Sequence, residues 1–98
     1  MACPRRMRGT RLSPPRFTVV PGTSFHNQLA TVWLTDRNVT VVMNRLEEVL
    51  QILPDQAGTP FEHRGKTYWF IRYQGFQVTY QILVDDCLVR LHDIRPLA

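Results

Sequence analysis

The sequence predicts an α+β domain: a mainly antiparallel, twisted sheet packed on an αα-hairpin, in the order β-α-α-β-β-β. Three observations predict it. Residues 66–94 hold three runs rich in β-branched and aromatic residues, joined by short polar gaps. Residues 23–53 hold two consecutive helical periodicities. Ahead of them stands one short strand pattern, Arg16-Phe17-Thr18-Val19-Val20, stopped by Pro21-Gly22.

Before that strand, Met1 to Pro15 is mostly Arg, Pro, Gly and Ser, with few large apolar residues. Such a segment cannot bury enough surface to order itself, so residues 1–15 are expected to be a disordered basic tail and residues 16–98 the folded domain. Thr23 or Ser24 can then N-cap a helix in which Phe25, Leu29, Val32 and Trp33 form one face. Asp36-Arg37-Asn38 interrupts it, with Asn38 or Asp36 capping the next. In the second helix Val39, Val42, Met43, Leu46, Val49, Leu50 and Leu53 line one side, and Arg45, Glu47, Glu48 and Gln51 the other. Pro54 ends it, because the residue before a proline avoids the helical region. Residues 54–65, punctuated by Gly58, Pro60 and Gly65, read as a loop.

The meander follows. Its first run is Tyr68 to Arg72, its second Phe76 to Ile82 and its third Leu88 to Ile94. Short connections at Tyr73-Gln74-Gly75 and Asp85-Asp86 force antiparallel neighbours. With side chains alternating, Phe76, Val78, Tyr80, Ile82 and Val84 share the covered face, and Gln77, Thr79 and Gln81 the open one. Val89 and Leu91 likewise oppose Arg90 and His92. The first run is apolar on both sides, so the direction of Arg72 stays open.

The chain has 98 residues, which suits one compact domain, and a net charge of +4. That charge belongs to the N-terminal stretch: residues 1–16 hold Arg5, Arg6, Arg8, Arg11 and Arg16 without an acid. The rest of the chain is close to neutral, which argues against a domain that is basic throughout. No apolar run approaches a membrane span, and no secretory signal is visible. Cys3 and Cys87 are far apart, and no His/Cys/Asp/Glu grouping has metal-ligand spacing. The expectation is a cytoplasmic protein with reduced thiols and no metal or cofactor.

Several stretches carry a family resemblance: Gln28-Leu29-Ala30-Thr31-Val32-Trp33-Leu34, Val49-Leu50-Gln51-Ile52-Leu53-Pro54 followed by Gly58, and above all Ile71 to Ile82 with Asp85-Asp86 and Val89 to Ile94. In this order the chain resembles the RelE/ParE superfamily of type II toxin–antitoxin toxins, whose genes are often described as plasmid stabilisation proteins. The resemblance covers residues 16–95. It implies a growth-inhibiting toxin neutralised by a cognate antitoxin. RelE-like members cleave mRNA at the ribosome without metal; ParE-like members poison DNA gyrase.

Metal-free RNA cleavage needs a base for the 2′-OH, cations for the pentacovalent phosphate and an acid for the leaving oxygen. Where the nucleases commonly carry Arg in the middle strand, this chain has Gln77, and where they carry a lysine pair it has Tyr68 and Phe70. A neutral amide cannot replace a guanidinium at a phosphorane. These departures shift the expectation toward ParE-like action on a protein target, or a degenerate toxin. An endoribonuclease would use His92, Arg90 and Arg95 as its catalytic groups, with Arg72, Gln77 and Gln81 contacting nucleic acid or another target. A small interaction module that merely shares the layout is the third class. His26, His63, Asp85 and Asp86 read as surface or turn residues, and Trp33 and Trp69 as core. Apolar surface around Val32, Leu34, Val41 and Leu53, together with free sheet edges, is expected to receive the antitoxin.

Overall fold

A computed structural model describes residues 17–97. The expected disordered tail of residues 1–15 lies outside them. The elements are β1 (Thr18–Pro21), α1 (Thr23–Thr35), α2 (Val39–Ile52), a single turn α3 (Pro54–Ala57), β2 (Thr59–His63), β3 (Lys66–Tyr73), β4 (Phe76–Leu83) and β5 (Leu88–Pro96). Five strands form one sheet in the order β1-β5-β4-β3-β2. All neighbours are antiparallel except β1 and β5, which run parallel from Thr18↔Leu88 to Pro21↔Leu91.

The α+β class, the αα-hairpin and the three-strand meander are as the periodicities predict. The segment expected to be a loop is not one. Residues 54–57 continue as α3, and residues 59–63 form the edge strand β2, paired with β3 from Thr59↔Phe70 to His63↔Lys66. Two tight hairpins build this side of the sheet. Arg64-Gly65 and Gln74-Gly75 are two-residue loops with positive φ at both positions, the turn geometry that matches the twist of the flanking strands. The third connection is a 3₁₀ turn, Val84–Asp86, closed by Cys87 in the left-handed region at φ 51°. Val84 thus leaves the strand in which alternation placed it.

The helices cover one face only. Phe25 and Val32 of α1, and Val39, Val42, Met43, Leu46 and Leu50 of α2, are buried against Phe76, Val78, Tyr80, Val89, Leu91 and Ile94. Burying each of the larger aliphatic side chains contributes about 1.5–3 kcal/mol. Trp33, expected in the core, is 40% exposed with the Arg37 guanidinium 4.5 Å above its ring. Leu53 is also exposed, because α2 ends before it could turn inward. Neither main helix has a side-chain N-cap: Gly22 stands at the cap of α1, and Asn38 at that of α2. Asp36 instead accepts the Asn38 N–H through Oδ1 at 3.0 Å and shapes the link between the helices. Cys87 is buried and disulfide-bonded, which overturns the expectation of a reduced thiol there. The cysteine argument for a cytoplasmic protein falls with it.

Tyr80 fastens the helical layer to the sheet. It is fully buried, and its hydroxyl donates to the Pro54 carbonyl oxygen at 2.6 Å, which holds the end of the helical hairpin over β4. Burial, with the Asp55 charge adding to it, raises the phenol far above its ordinary value, so it stays a donor. The chain passes this point at Gly58, where a Cβ would collide with the Tyr80 hydroxyl and lie 2.7 Å from the Phe70 carbonyl oxygen. Gly58→Ala is expected to cost about 1–3 kcal/mol by overpacking. Tyr80→Phe, which orphans the Pro54 carbonyl, is expected to cost about 1–3 kcal/mol. Urea unfolding followed by circular dichroism reads both.

Candidate functional site

The face of the sheet away from the helices carries the candidate site. Registers decide which residues it holds, since directly paired residues point to the same side. Trp69↔Tyr80 and Ile71↔Val78 place Trp69 and Ile71 on the covered face. Arg72↔Gln77 and Phe70↔Thr79 place Arg72 and Phe70 on the open one, which answers the question that the apolar pattern of β3 leaves open.

Strand β5 holds an extra residue. Thr79 pairs with Asp93 and Tyr80 with Leu91, so His92 is inserted opposite no partner as a β-bulge. Strict alternation from Val89 and Leu91 would send Asp93 and Arg95 into the core and Ile94 into solvent. The bulge resets the phase: Ile94 is buried and Arg95 exposed. The N–H of Ile94 is then satisfied by α1, whose Gln28 Oε1 accepts it at 2.9 Å.

Three cross-strand rows result. One runs Phe61, Tyr68, then Gln81 and Arg90; the next runs Thr59, Phe70, Thr79, Asp93; the third runs Arg72, Gln77, Arg95. Neighbouring strands stand about 4.7–4.9 Å apart. His92 reaches across to the first row. Its Nε2 lies 3.2 Å from Gln81 Oε1 and its ring centroid 5.3 Å from that of Tyr68, edge to face. The amide oxygen can only accept, so Nε2 carries the proton, and the neutral ring keeps Nδ1 as its basic nitrogen. Partial burial, helped by the positive charge of Arg90, lowers the His92 pKa from its ordinary value, so the neutral form prevails at pH 7.

Arg72 Nε donates to Gln77 Oε1 at 3.0 Å, and Arg95 Nε lies 3.3 Å from Asp93 Oδ2 in an exposed ion pair. The cations Arg72, Arg90, Arg95 and Lys66 thus share a face on which Asp93 is the acid placed by register. The domain is near neutral as a whole, but its charge is segregated. The expected site residues Arg72, Gln77, Gln81, Arg90, His92 and Arg95 all fall on this face. The reading of single positions missed the rings beside them. Phe61 stacks on Tyr68 at 5.9 Å and tilts against Phe70 at 6.0 Å. Lys66, Tyr68, Phe70 and Arg72 recur with period two, which was the available signal.

Elsewhere, a groove along α2 is lined by Asn44, Glu47, Glu48, Gln51 and Ile52, on the helical layer rather than the open face. Among the described residues no cluster of His, Cys, Asp or Glu could hold a metal ion, and no helix is long and apolar enough to cross a membrane.

No protein-family model matches the chain, and no curated protein matches it. A solved structure does. The crystal structure of the toxin–antitoxin complex RelBE2 from Mycobacterium tuberculosis contains a chain that superposes with a TM-score of 0.71, at 18% sequence identity, over 83% of this chain and 98% of that one. The architecture described above is a RelE-like fold.

Removing the positive charge beside His92 tests the electrostatics of the site. In Arg90→Gln, the His92 imidazole is expected to titrate at higher pH than in the unmodified protein, because one of the two causes that depress it is gone. Proton NMR titration of the ring resonances reads the shift. Stability should carry the same sign. The unfolded chain binds the proton more readily, so stability falls as pH drops below about 6.5 toward the folded-state value.

Proposed function

We propose that this protein is the toxin of a type II toxin–antitoxin pair, and that its open sheet face cleaves RNA without metal. The observation that carries the reading is the bulge at His92, which sets a neutral imidazole, Arg90 and Arg95 on one face beside Arg72. His92 Nδ1 would take the 2′-OH proton; the oxygen then attacks the adjacent phosphorus. The guanidinium groups of Arg72, Arg90 and Arg95 would hold the extra negative charge of the phosphorane. Gln77 does not supply that charge itself, but it stands between Arg72 and Arg95 in one row and accepts from Arg72. The missing guanidinium is thus offset from both sides. The departing 5′-oxygen must be protonated in turn, and the imidazolium formed in the first step is the acid at hand.

The neighbour with the same fold was solved as a toxin–antitoxin complex, which supports an antitoxin partner here. Leu34, Val41 and Leu53, expected to receive the antitoxin, are exposed together with Trp33 and Ile52, and offer apolar contact on the helical layer. Val32, expected among them, is 7% exposed and belongs to the core. A cytoplasmic location follows from this reading, since ribosomes, mRNA and gyrase are there.

A second reading keeps the antitoxin but gives the toxin a protein target such as DNA gyrase. Gln77 favours it, as does the absence of the lysine pair at Tyr68 and Phe70. Induced expression in a bacterial host, with growth, protein synthesis and DNA integrity followed in parallel, separates the two. Early loss of translation, relieved at least tenfold in viable count by His92→Ala, is the expected result. Filamentation with DNA damage, unchanged by His92→Ala, would give the second reading instead. Unimpaired growth at good expression would remove both.

A further inference from the structure

The open face carries rings that cleavage chemistry does not use. Phe61 of β2 is 38% exposed, on a strand exposed along its whole length. It lies stacked on Tyr68, with Phe70 6.0 Å away and His92 at the far end of the row, 5.3 Å from Tyr68. His63 adds an edge contact to Tyr68 at 6.2 Å. The Arg72 guanidinium stands 5.8 Å from the centre of the Phe70 ring. An aromatic row thus extends from the edge strand to the proposed catalytic histidine, and among the described residues no helix covers it. Cross-strand pairing accounts for the contact of Phe61 with Tyr68, its direct partner. It does not account for a run of rings continued to His92 on a face otherwise made of charged and polar side chains.

We propose that Phe61, Tyr68 and Phe70 form a stacking subsite for a base of single-stranded RNA, which sets the register of the strand against His92. This rests on the reading of the open face as RNA-directed. Every base offers a π-face, so such a row holds a nucleotide with little regard to its identity. Lys66 and Arg72 stand at the two ends of the β3 run that carries Tyr68 and Phe70, where the flanking phosphates would pass. Charge complementarity therefore matches the rings. The row beside them, Thr79 and Gln81 with Gln77, is neutral and polar, about one strand spacing away. A ribose lying there presents its 2′-OH, both donor and acceptor, to hydroxyl and amide groups, which favours RNA over DNA.

Fluorescence anisotropy of the full chain with a labelled eight-nucleotide oligo(U) tests the subsite without any requirement for cleavage, antitoxin or ribosome. Phe61→Leu keeps an apolar side chain on the edge strand and removes the ring; Phe61→Trp restores a ring. Phe61→Leu is expected to weaken binding by roughly tenfold or more with the salt slope unchanged, and Phe61→Trp to recover it. Arg72→Gln should weaken binding while lowering the salt slope by about one. The deoxy oligomer should bind several-fold more weakly than the ribose form. Wild-type affinity in Phe61→Leu with an unchanged unfolding midpoint would overturn the proposal, as would equal affinity for the deoxy oligomer or no binding by the wild type. Ring-dependent RNA binding by a protein whose expression leaves growth unimpaired would uphold the subsite and end the toxin reading. Translation arrest that persists in Phe61→Leu, with unchanged oligomer affinity, would do the reverse.

Discussion

One inserted residue governs what both faces of this sheet can do. His92 has no partner on β4, and its accommodation as a bulge, rather than in regular register, decides which side every later residue of β5 addresses. Before it, Val89 and Leu91 fill the core; after it, Ile94 does. If the same sequence paired in regular register without the bulge, Asp93 and Arg95 would lie beneath the helices, at a cost of several kcal/mol for a buried charge left unpaired. The insertion also frees a backbone N–H at a point where β1 has already ended. The Gln28 side chain accepts it. The helical layer thus completes the strand whose irregularity creates the candidate site.

The division of labour between the faces follows from the same economy. A chain of this size has one core, and the αα-hairpin covers only one side of the sheet. Tyr80 pins that hairpin through Pro54, and the lack of a side chain at Gly58 makes the close approach possible. With the helices held there, no element among the described residues covers the other face. It collects Lys66, Arg72, Arg90 and Arg95, while Glu47 and Glu48 lie on α2. A whole-chain charge therefore says little about this molecule; the distribution between faces says more.

The long, strictly periodic elements were legible in the sequence. α2, with Val42, Leu46 and Leu50 at helical spacing, and β4, with Phe76, Val78 and Tyr80 alternating against Gln77, Thr79 and Gln81, needed only their own pattern. β2 was not legible, because Thr59-Pro60-Phe61-Glu62-His63 is wet on both sides and contains a proline, so no alternation marks it. Its pairing comes from the Arg64-Gly65 turn rather than from burial. The bulge has no residue signature either: His92-Asp93 reads as ordinary alternation until the partner strand is laid beside it. Arg72 could not be aimed for a related reason, since β3 is apolar on both faces and only its register with β4 breaks the tie. The site residues were found singly by chemical type, yet their arrangement in rows, and the rings among them, needed the sheet.

The position of Gln77 is where the physical argument presses hardest. An amide there was reason to doubt phosphoryl chemistry, because it brings no charge. In the sheet, however, a side chain acts with its lateral neighbours as much as along its own strand. Arg72 and Arg95 flank Gln77 at about one strand spacing on either side, and Arg72 already donates to it. The amide oxygen orients one guanidinium and leaves the N–H groups of Gln77 as neutral donors for a phosphate oxygen on the proposed reading. Asp93 holds Arg95 only through an exposed contact of 3.3 Å, weak enough for a phosphate to displace. On the proposed reading, the partner of Arg95 in the free protein would then exchange for a phosphate of the substrate, one oxygen anion replacing another at the same guanidinium.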